Sequence, residues 1–299
     1  WAKAAELACR AGQGDSLLRR WWRRLFPEAI DIAPPFTVDQ GRLEAVLPPS
    51  PTDAAYDPAS GEIQVGRPGL RVEAPALCRS LSKAAPGGAV RLPVEVRQPE
   101  ISAEHLREAL FRDVLGTYQT EVGGSASRRG NVALSAAAVD TTVLLPGETF
   151  DYNQVVGERT RARGYGAAPA YVNGETVEEI GGGICQTSST LYAAALLADL
   201  QITARSAHRY VSSYIPLGMD ATVSWGGPEF CFRNDTRYPI QIQAAVEGRT
   251  LRVTIRGTRL DSSTVKIRSE VVATDPCLTR YEDAPGLPAG TEQLKQSGY

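Results

Sequence analysis

Histidine is scarce in these 299 residues: there are two, His105 and His208, so an imidazole base can come only from one of them. The five cysteines, Cys9, Cys78, Cys185, Cys231 and Cys277, include no C-x-x-C pair and no metal-type spacing, so neither zinc nor any other cofactor is expected. No apolar run approaches the length needed to span a bilayer, and no segment reads as a signal peptide. Charge of one sign is also lacking. With 32 Lys+Arg against 34 Asp+Glu, the overall balance gives no reason to expect a nucleic-acid partner. The hydrophobic fraction of 42% is ample for packed cores.

What stands out is a lone thiol placed where three glycines run into a helix: Gly181-Gly182-Gly183-Ile184-Cys185-Gln186-Thr187-Ser188-Ser189-Thr190-Leu191-Tyr192. Residues 191–200 are rich in strong helix formers without Gly or Pro, and Thr187, Ser188 and Ser189 can cap a first turn. Cys185 is therefore expected at or just before a helix N-terminus, where unpaired N–H groups and the helix dipole favour negative charge on sulfur or on a developing oxyanion. Gly182 and Gly183 allow a substrate backbone to approach closely. With Gln186, Thr187 and Ser188 they are the expected substrate-binding residues.

Two short strand-like runs, 201–205 and 211–215, flank His208, and Asp220 opens a third, 221–225. A helix carrying a nucleophile, followed by a base and an orienting carboxylate, is the order used by Cys-His-Asp acyl-transfer enzymes. Cys185 is the candidate nucleophile, His208 the base and Asp220 the orienter. The residues alone also allow a plainer reading, since a cysteine entering an alanine-rich helix is commonly a small apolar filler.

Several ordered stretches carry a family resemblance: Phe150-Asp151-Tyr152-Asn153-Gln154-Val155-Val156-Gly157-Glu158-Arg159-Thr160, then Arg163-Gly164-Tyr165, the glycine–cysteine run, His208, and Gly218-Met219-Asp220-Ala221-Thr222-Val223. Together they resemble the VanW family over roughly residues 106–257. That resemblance implies an exported protein at the extracellular face of the bacterial cell envelope, membrane-anchored or wall-associated, in a family named for a gene that accompanies some vancomycin-resistance clusters. The order of Cys, helix, strand, His and Asp is also similar to the transglutaminase-like superfamily, an analogy covering residues 181–223. Cys231 stands where the VanW pattern usually has an aliphatic or polar residue, which suggests a disulfide particular to this chain.

The expected fold class is α+β, with a small N-terminal module followed by a domain in which the Cys-bearing helix packs on antiparallel strands. Residues 1–42 read as a helical segment broken at Gly12-Gln13-Gly14, with Asp15 or Ser16 capping its second piece. Arg19-Arg20-Trp21-Trp22-Arg23-Arg24 fits a membrane surface or an anionic polymer, and fits better a helix that exposes Arg and buries Trp. Residues 43–104 resemble the peptidoglycan-binding module often found ahead of VanW domains, with a strand at 63–65, a helix at 74–84 and an edge strand at 89–96; the resemblance implies wall binding, and a structural spacer is the equal alternative. The VanW domain covers 105–258, with strands at 229–232, 240–246 and 251–255. Residues 259–299 read as a C-terminal β segment and the start of a surface module.

Because the chain begins at Trp1, an export signal or anchor is expected upstream, and contact with a membrane only through that anchor. In an exported protein an odd cysteine count leaves one thiol free. Cys185 is that thiol if Cys9 pairs with Cys78 and Cys231 with Cys277, one of three pairings that the other four cysteines permit. Two functions follow. One is an envelope enzyme, a cysteine-dependent peptidase or transglutaminase-like acyltransferase, that hydrolyses or transpeptidates amides of peptidoglycan stem peptides. The other is a non-catalytic peptidoglycan-binding protein of the wall whose Cys-bearing helix is structural core.

Overall fold

The computed structural model describes residues 6, 10, 16–26, 39, 42, 50–84, 89–172, 175–275 and 279–294. The chain divides into two compact units, Trp1–Ala55 with Ile63–Ala103, and Tyr56–Glu62 with Glu104–Tyr299. In chain order the elements are α1 (Leu17–Leu25), β1 (Ala55–Asp57), β2 (Glu62–Gln64), β3 (Gly69–Val72), α2 (Ala74–Leu81), β4 (Val94–Arg97), α3 (Ala103–Ala109), β5 (Asp113–Glu121), α4 (Ala126–Val139), β6 (Val143–Leu144), β7 (Thr149–Asp151), α5 (Tyr152–Val156), β8 (Ala167–Val172), β9 (Glu175–Ile180), α6 (Cys185–Leu197), β10 (Gln201–Ala204), β11 (Cys231–Arg233), β12 (Ile240–Glu247) and β13 (Thr250–Gly257). Helices accompany antiparallel sheets, which is an α+β fold. No helix among the described residues is long and apolar enough to cross a membrane.

In the first unit, Ser16 caps α1 by accepting the Arg19 N–H at 3.4 Å. The expectation of buried tryptophans fails: Trp21 and Trp22 are 64% and 57% exposed, and Trp22 packs along its own helix on Phe26, ring centroids 4.8 Å apart. β3 and β4 pair antiparallel, and the second strand begins only after Pro93, whose missing N–H cannot join the ladder. Residues 89–93 are not strand. Asp53 accepts the Ile101 N–H at 2.9 Å, and Ala54 donates to the Ile101 carbonyl at 2.9 Å.

The second unit is built on a four-stranded antiparallel sheet in the order β5-β13-β12-β6. β12 and β13 join through Gly248 and Arg249, and Gly248 takes the positive φ of 61° that this two-residue turn needs. Ile240, Ile242, Leu251 and Ile255 are fully buried. Each is worth about 1.5–3 kcal/mol of apolar burial. Helix α6 seats against β5 at Gly116, where an added Cβ would lie 2.3 Å from the Ala194 carbonyl oxygen. The small side chains Ala193, Ala194 and Ala195 on the helix, all fully buried, suit that close approach. A smaller sheet, β10-β11-β7, contributes Phe150 and Phe232, stacked at 4.9 Å, with Phe230 alongside.

Three expected strands do not form. Residues 211–215 and 221–225 are turns and irregular chain, and beyond Gly257 no described residue is in a strand. In the stretch after Asp220, backbone groups are satisfied by side chains of α6 rather than by a ladder: Ala221 donates to Ser189 Oγ and accepts from Ser188 Oγ. In the tail, Val271 and Val272 are 62% and 94% exposed, so that apolar pair joins no sheet.

Candidate active site

The β8–β9 hairpin delivers the chain to Gly181, and the glycine run then turns tightly into α6. Gly181 and Gly183 have φ of 84° and 102°, a region in which a Cβ is strained. At Gly182 the demand is space, since a Cβ there would stand 2.3 Å from the Ala168 carbonyl oxygen. The helix starts at Cys185 with Ile184 as N-cap and no side-chain cap. The expected caps are used differently. Ser189 donates back to the Cys185 carbonyl at 2.7 Å, and Thr187 bonds Ser135 at 2.7 Å.

Gln186, Thr187 and Ser188, expected to line a substrate, are fully buried and satisfied. Gln186 donates to Thr120 Oγ1 and to the Glu121 carbonyl, both at 2.9 Å, and accepts from Arg128 at 2.9 Å. Ser188 donates to the Ala221 carbonyl at 2.6 Å. These three residues lock α6 into the core and offer no polar surface to a ligand. Gly182 is buried as well, while Gly183 and Cys185 reach solvent in part.

Cys185, His208 and Asp220 come together. Asp220 Oδ2 accepts the His208 Nδ1–H at 2.7 Å and also the His208 backbone N–H. That leaves Nε2 unclaimed by Asp220, and the Cys185 side chain lies close enough to act on the charge of the ring. The sulfur also lies 3.4 Å from the Val223 carbonyl oxygen. Burial works against the His208 imidazolium, but the hydrogen bonds and charges of Cys185 and Asp220 outweigh it and hold the ring above its ordinary 6.5. Burial likewise raises Asp220, and the two hydrogen bonds from His208 overcome it, leaving the carboxyl below 3.8. His105, the other imidazole, pairs instead with the Tyr238 hydroxyl at 3.3 Å.

Residues 127–256 match the family model described as "VanW like protein". The chain is 45% identical over 169 residues to the uncharacterized protein YoaR of Bacillus subtilis (strain 168), covering 56% of this chain and 55% of YoaR. It is 31% identical over 122 residues to the vancomycin B-type resistance protein VanW of Enterococcus faecalis (strain ATCC 700802 / V583), covering 39% of this chain and 44% of that protein. Residues 127–256 form a VanW-like domain. The chain spans about half the length of these relatives. No solved structure matches it.

The VanW domain holds its Asp220 by residues that had no such role on sequence grounds. Arg205 donates to Asp220 Oδ1 at 3.0 Å and to the Asp220 carbonyl at 2.7 Å, with its guanidinium 5.3 Å from the Tyr192 ring centroid. Ser188 and Ser189 grip the next peptide from the nucleophile's own helix, so α6 positions the orienting carboxylate as well as the sulfur. Arg128, Arg159 and Tyr214 also surround Cys185. Tyr214 is pushed up to about 12 by burial and by the charge of Cys185. Only the alternation of helix, base and carboxylate was legible beforehand; the arginines arrive from α4 and from the loop after α5, distant in sequence.

Cys78, Cys185 and Cys231 are free thiols; Cys9 and Cys277, the other members of the two expected bridges, lie outside the described residues. Cys231 is buried in β11, and burial together with the charges of Asp151 and Glu229 pushes its thiol up to about 11, which disfavours exchange. Among the described residues, Asp151, Glu229 and Cys231 bring ligand atoms within 4.8 Å of one another. Asp151 is already engaged as N-cap of α5, accepting the Gln154 N–H at 3.1 Å.

Proposed function

We propose that the VanW domain is a cysteine-dependent acyl-transfer enzyme of the cell envelope, acting on amide bonds in peptidoglycan stem peptides. The VanW-like domain supports a cell-wall role, and residues 43–104 are assigned to holding the protein on the wall at its extracellular face. The observation that carries the chemistry is the grouping of Asp220, His208 and Cys185, with Nδ1 fixed at 2.7 Å from the carboxylate and the thiol close enough to act on the charge of the ring.

In this reading His208 Nε2 takes the Cys185 proton as Sγ attacks the amide carbonyl, and Asp220 stabilises the imidazolium. The C–N bond breaks, the proton passes from Nε2 to the leaving amine, and a thioester remains on Cys185. Water activated by His208 then releases an acid, or a second amine takes the acyl group. The arrangement is like that of transglutaminase-type enzymes in order and roles.

The non-catalytic alternative draws on the buried, satisfied side chains of Gln186, Thr187 and Ser188, which make α6 a core helix. The two readings separate in one experiment. Purified stem peptides and cross-linked muropeptides are incubated with the protein and with Cys185→Ala, and products are followed by mass spectrometry. Cleaved or newly cross-linked peptides that vanish with the variant support the enzyme. Binding without turnover by either protein supports the wall-binding module.

A further inference from the structure

Two arginines press against the glycines that lead to Cys185, and among the described residues neither has a carboxylate within ion-pair distance. Arg159 is 8% exposed and lies under Gly181, where an added Cβ would be 2.9 Å from its own Cβ. Its NH2 donates to Asn153 Oδ1 at 2.7 Å and its NH1 to the Gly157 carbonyl at 3.2 Å, while its Nε is buried with no hydrogen-bond partner. The guanidinium stands 5.8 Å from the Tyr152 ring centroid. Arg128 lies against Gly183, where a Cβ would come 2.7 Å from its Cγ, and its guanidinium is 6.0 Å from the Tyr214 ring centroid. It donates to the Gly123 carbonyl at 3.0 Å and to Gln186 Oε1 at 2.9 Å, both neutral acceptors.

Both guanidiniums interact electrostatically with Cys185, and Arg159 also feels Arg163. The nearest carboxylate of the relay, Asp220, is already committed to Arg205 and His208. A buried arginine without a counter-ion is costly, because burial removes the water that would otherwise solvate its charge. Here two such cations converge on one thiol, with an orphaned Nε on the more buried of them and partial exposure on the other. An arginine fork is the side chain suited to a planar carboxylate.

We propose that Arg159 and Arg128 form an anion subsite beside Cys185 that receives a carboxylate of the ligand. The domain then takes peptides bearing a free carboxylate next to the reacting amide and discriminates against their neutral amides. The meaning for turnover rests on Cys185 being the nucleophile; the binding itself does not.

Two measurements on the full chain test this. In the first, the rate constants for alkylation of Cys185 by iodoacetate and iodoacetamide are compared. An anion subsite raises the iodoacetate-to-iodoacetamide ratio, which falls about tenfold in Arg159→Met and several-fold in Arg128→Gln, the loss of one charge-assisted contact. Arg159→Lys, which keeps the charge, is the variant to use if Arg159→Met does not fold. A ratio unchanged by every variant, with both rates falling together, would assign the arginines to the sulfur alone and overturn the proposal. In the second, Cys185→Ser is titrated with acetyl-dialanine and with its C-terminal amide. Binding of the acid in preference to the amide supports the subsite; equal binding, or none, overturns it. If Cys185 resists both alkylating reagents while acid-selective binding persists, the enzymatic reading fails and the anion subsite stands.

Discussion

One atom of Asp220, Oδ2, accepts both the ring Nδ1–H and the backbone N–H of His208, the first at 2.7 Å, so a single oxygen fixes the orientation of the ring and of the chain that carries it. The other oxygen, Oδ1, is held by Arg205 at 3.0 Å. A carboxylate so engaged is a rigid support for an imidazole that must keep Nε2 on sulfur.

Replacing Asp220 by Asn leaves the volume unchanged and removes the charge that stabilises the imidazolium. Turnover is expected to fall roughly 10²–10⁴-fold. Product formation measured against wild type checks this, and an Asp220→Asn protein with full activity would remove the carboxylate from the mechanism.

The same pair sets a pH window. His208 is held above 6.5, so its contribution to stability is complete below 6.5 and is lost as pH rises through the folded value. Asp220 is held below 3.8, so its contribution is complete above 3.8 and is lost as pH falls through the folded value. Both are intact between those limits. The difference in Tm between wild type and Asp220→Asn should be largest between pH 3.8 and 6.5 and shrink on the alkaline side. A difference that holds constant through alkaline pH would show the two groups to be uncoupled.

Ser189→Ala strands the Ala221 N–H that Ser189 Oγ accepts at 2.9 Å, in a fully buried position. A loss of about 1–3 kcal/mol in urea unfolding is expected, the cost of an unsatisfied buried group. Because that peptide adjoins Asp220, activity should drop further than the stability loss explains, read as lower turnover at temperatures where the variant remains folded.

Gly182→Ala places a Cβ 2.3 Å from the Ala168 carbonyl, a backbone atom that cannot swing aside. The expected cost is about 1–3 kcal/mol or more. Gly130→Ala, whose Cβ meets nothing within 4 Å, serves as the control and should be neutral or mildly stabilising in its helix.

The thiol at a helix start, a histidine after the helix and an aspartate beyond it could be read along the chain because glycine punctuation and helix propensity are local properties. The strand expected at 221–225 failed at its first residue because the backbone groups of Ala221 are satisfied by serines of a helix some thirty residues upstream, as in the 32-residue separation of Ser189 and Ala221. Gln186, Thr187 and Ser188 look like polar, available side chains in sequence, and only the packing of α6 between β5 and α4 shows each one committed to a buried partner. Arg128 gave no signal and Arg159 only a place in a family motif, since an arginine without a counter-ion is visible only once its tertiary neighbours are placed.

The most direct measurement is site-resolved alkylation of the native protein by iodoacetamide at neutral pH, in wild type and in His208→Ala, with Cys78 and Cys231 as internal references. The relay requires that Cys185 be labelled ahead of buried Cys231, and that its rate fall by about tenfold or more in His208→Ala while Cys78 is unchanged. Labelling of Cys185 at the same rate with and without His208, or no labelling of Cys185 in the folded protein, would contradict the assignment of Cys185 and His208 as nucleophile and base.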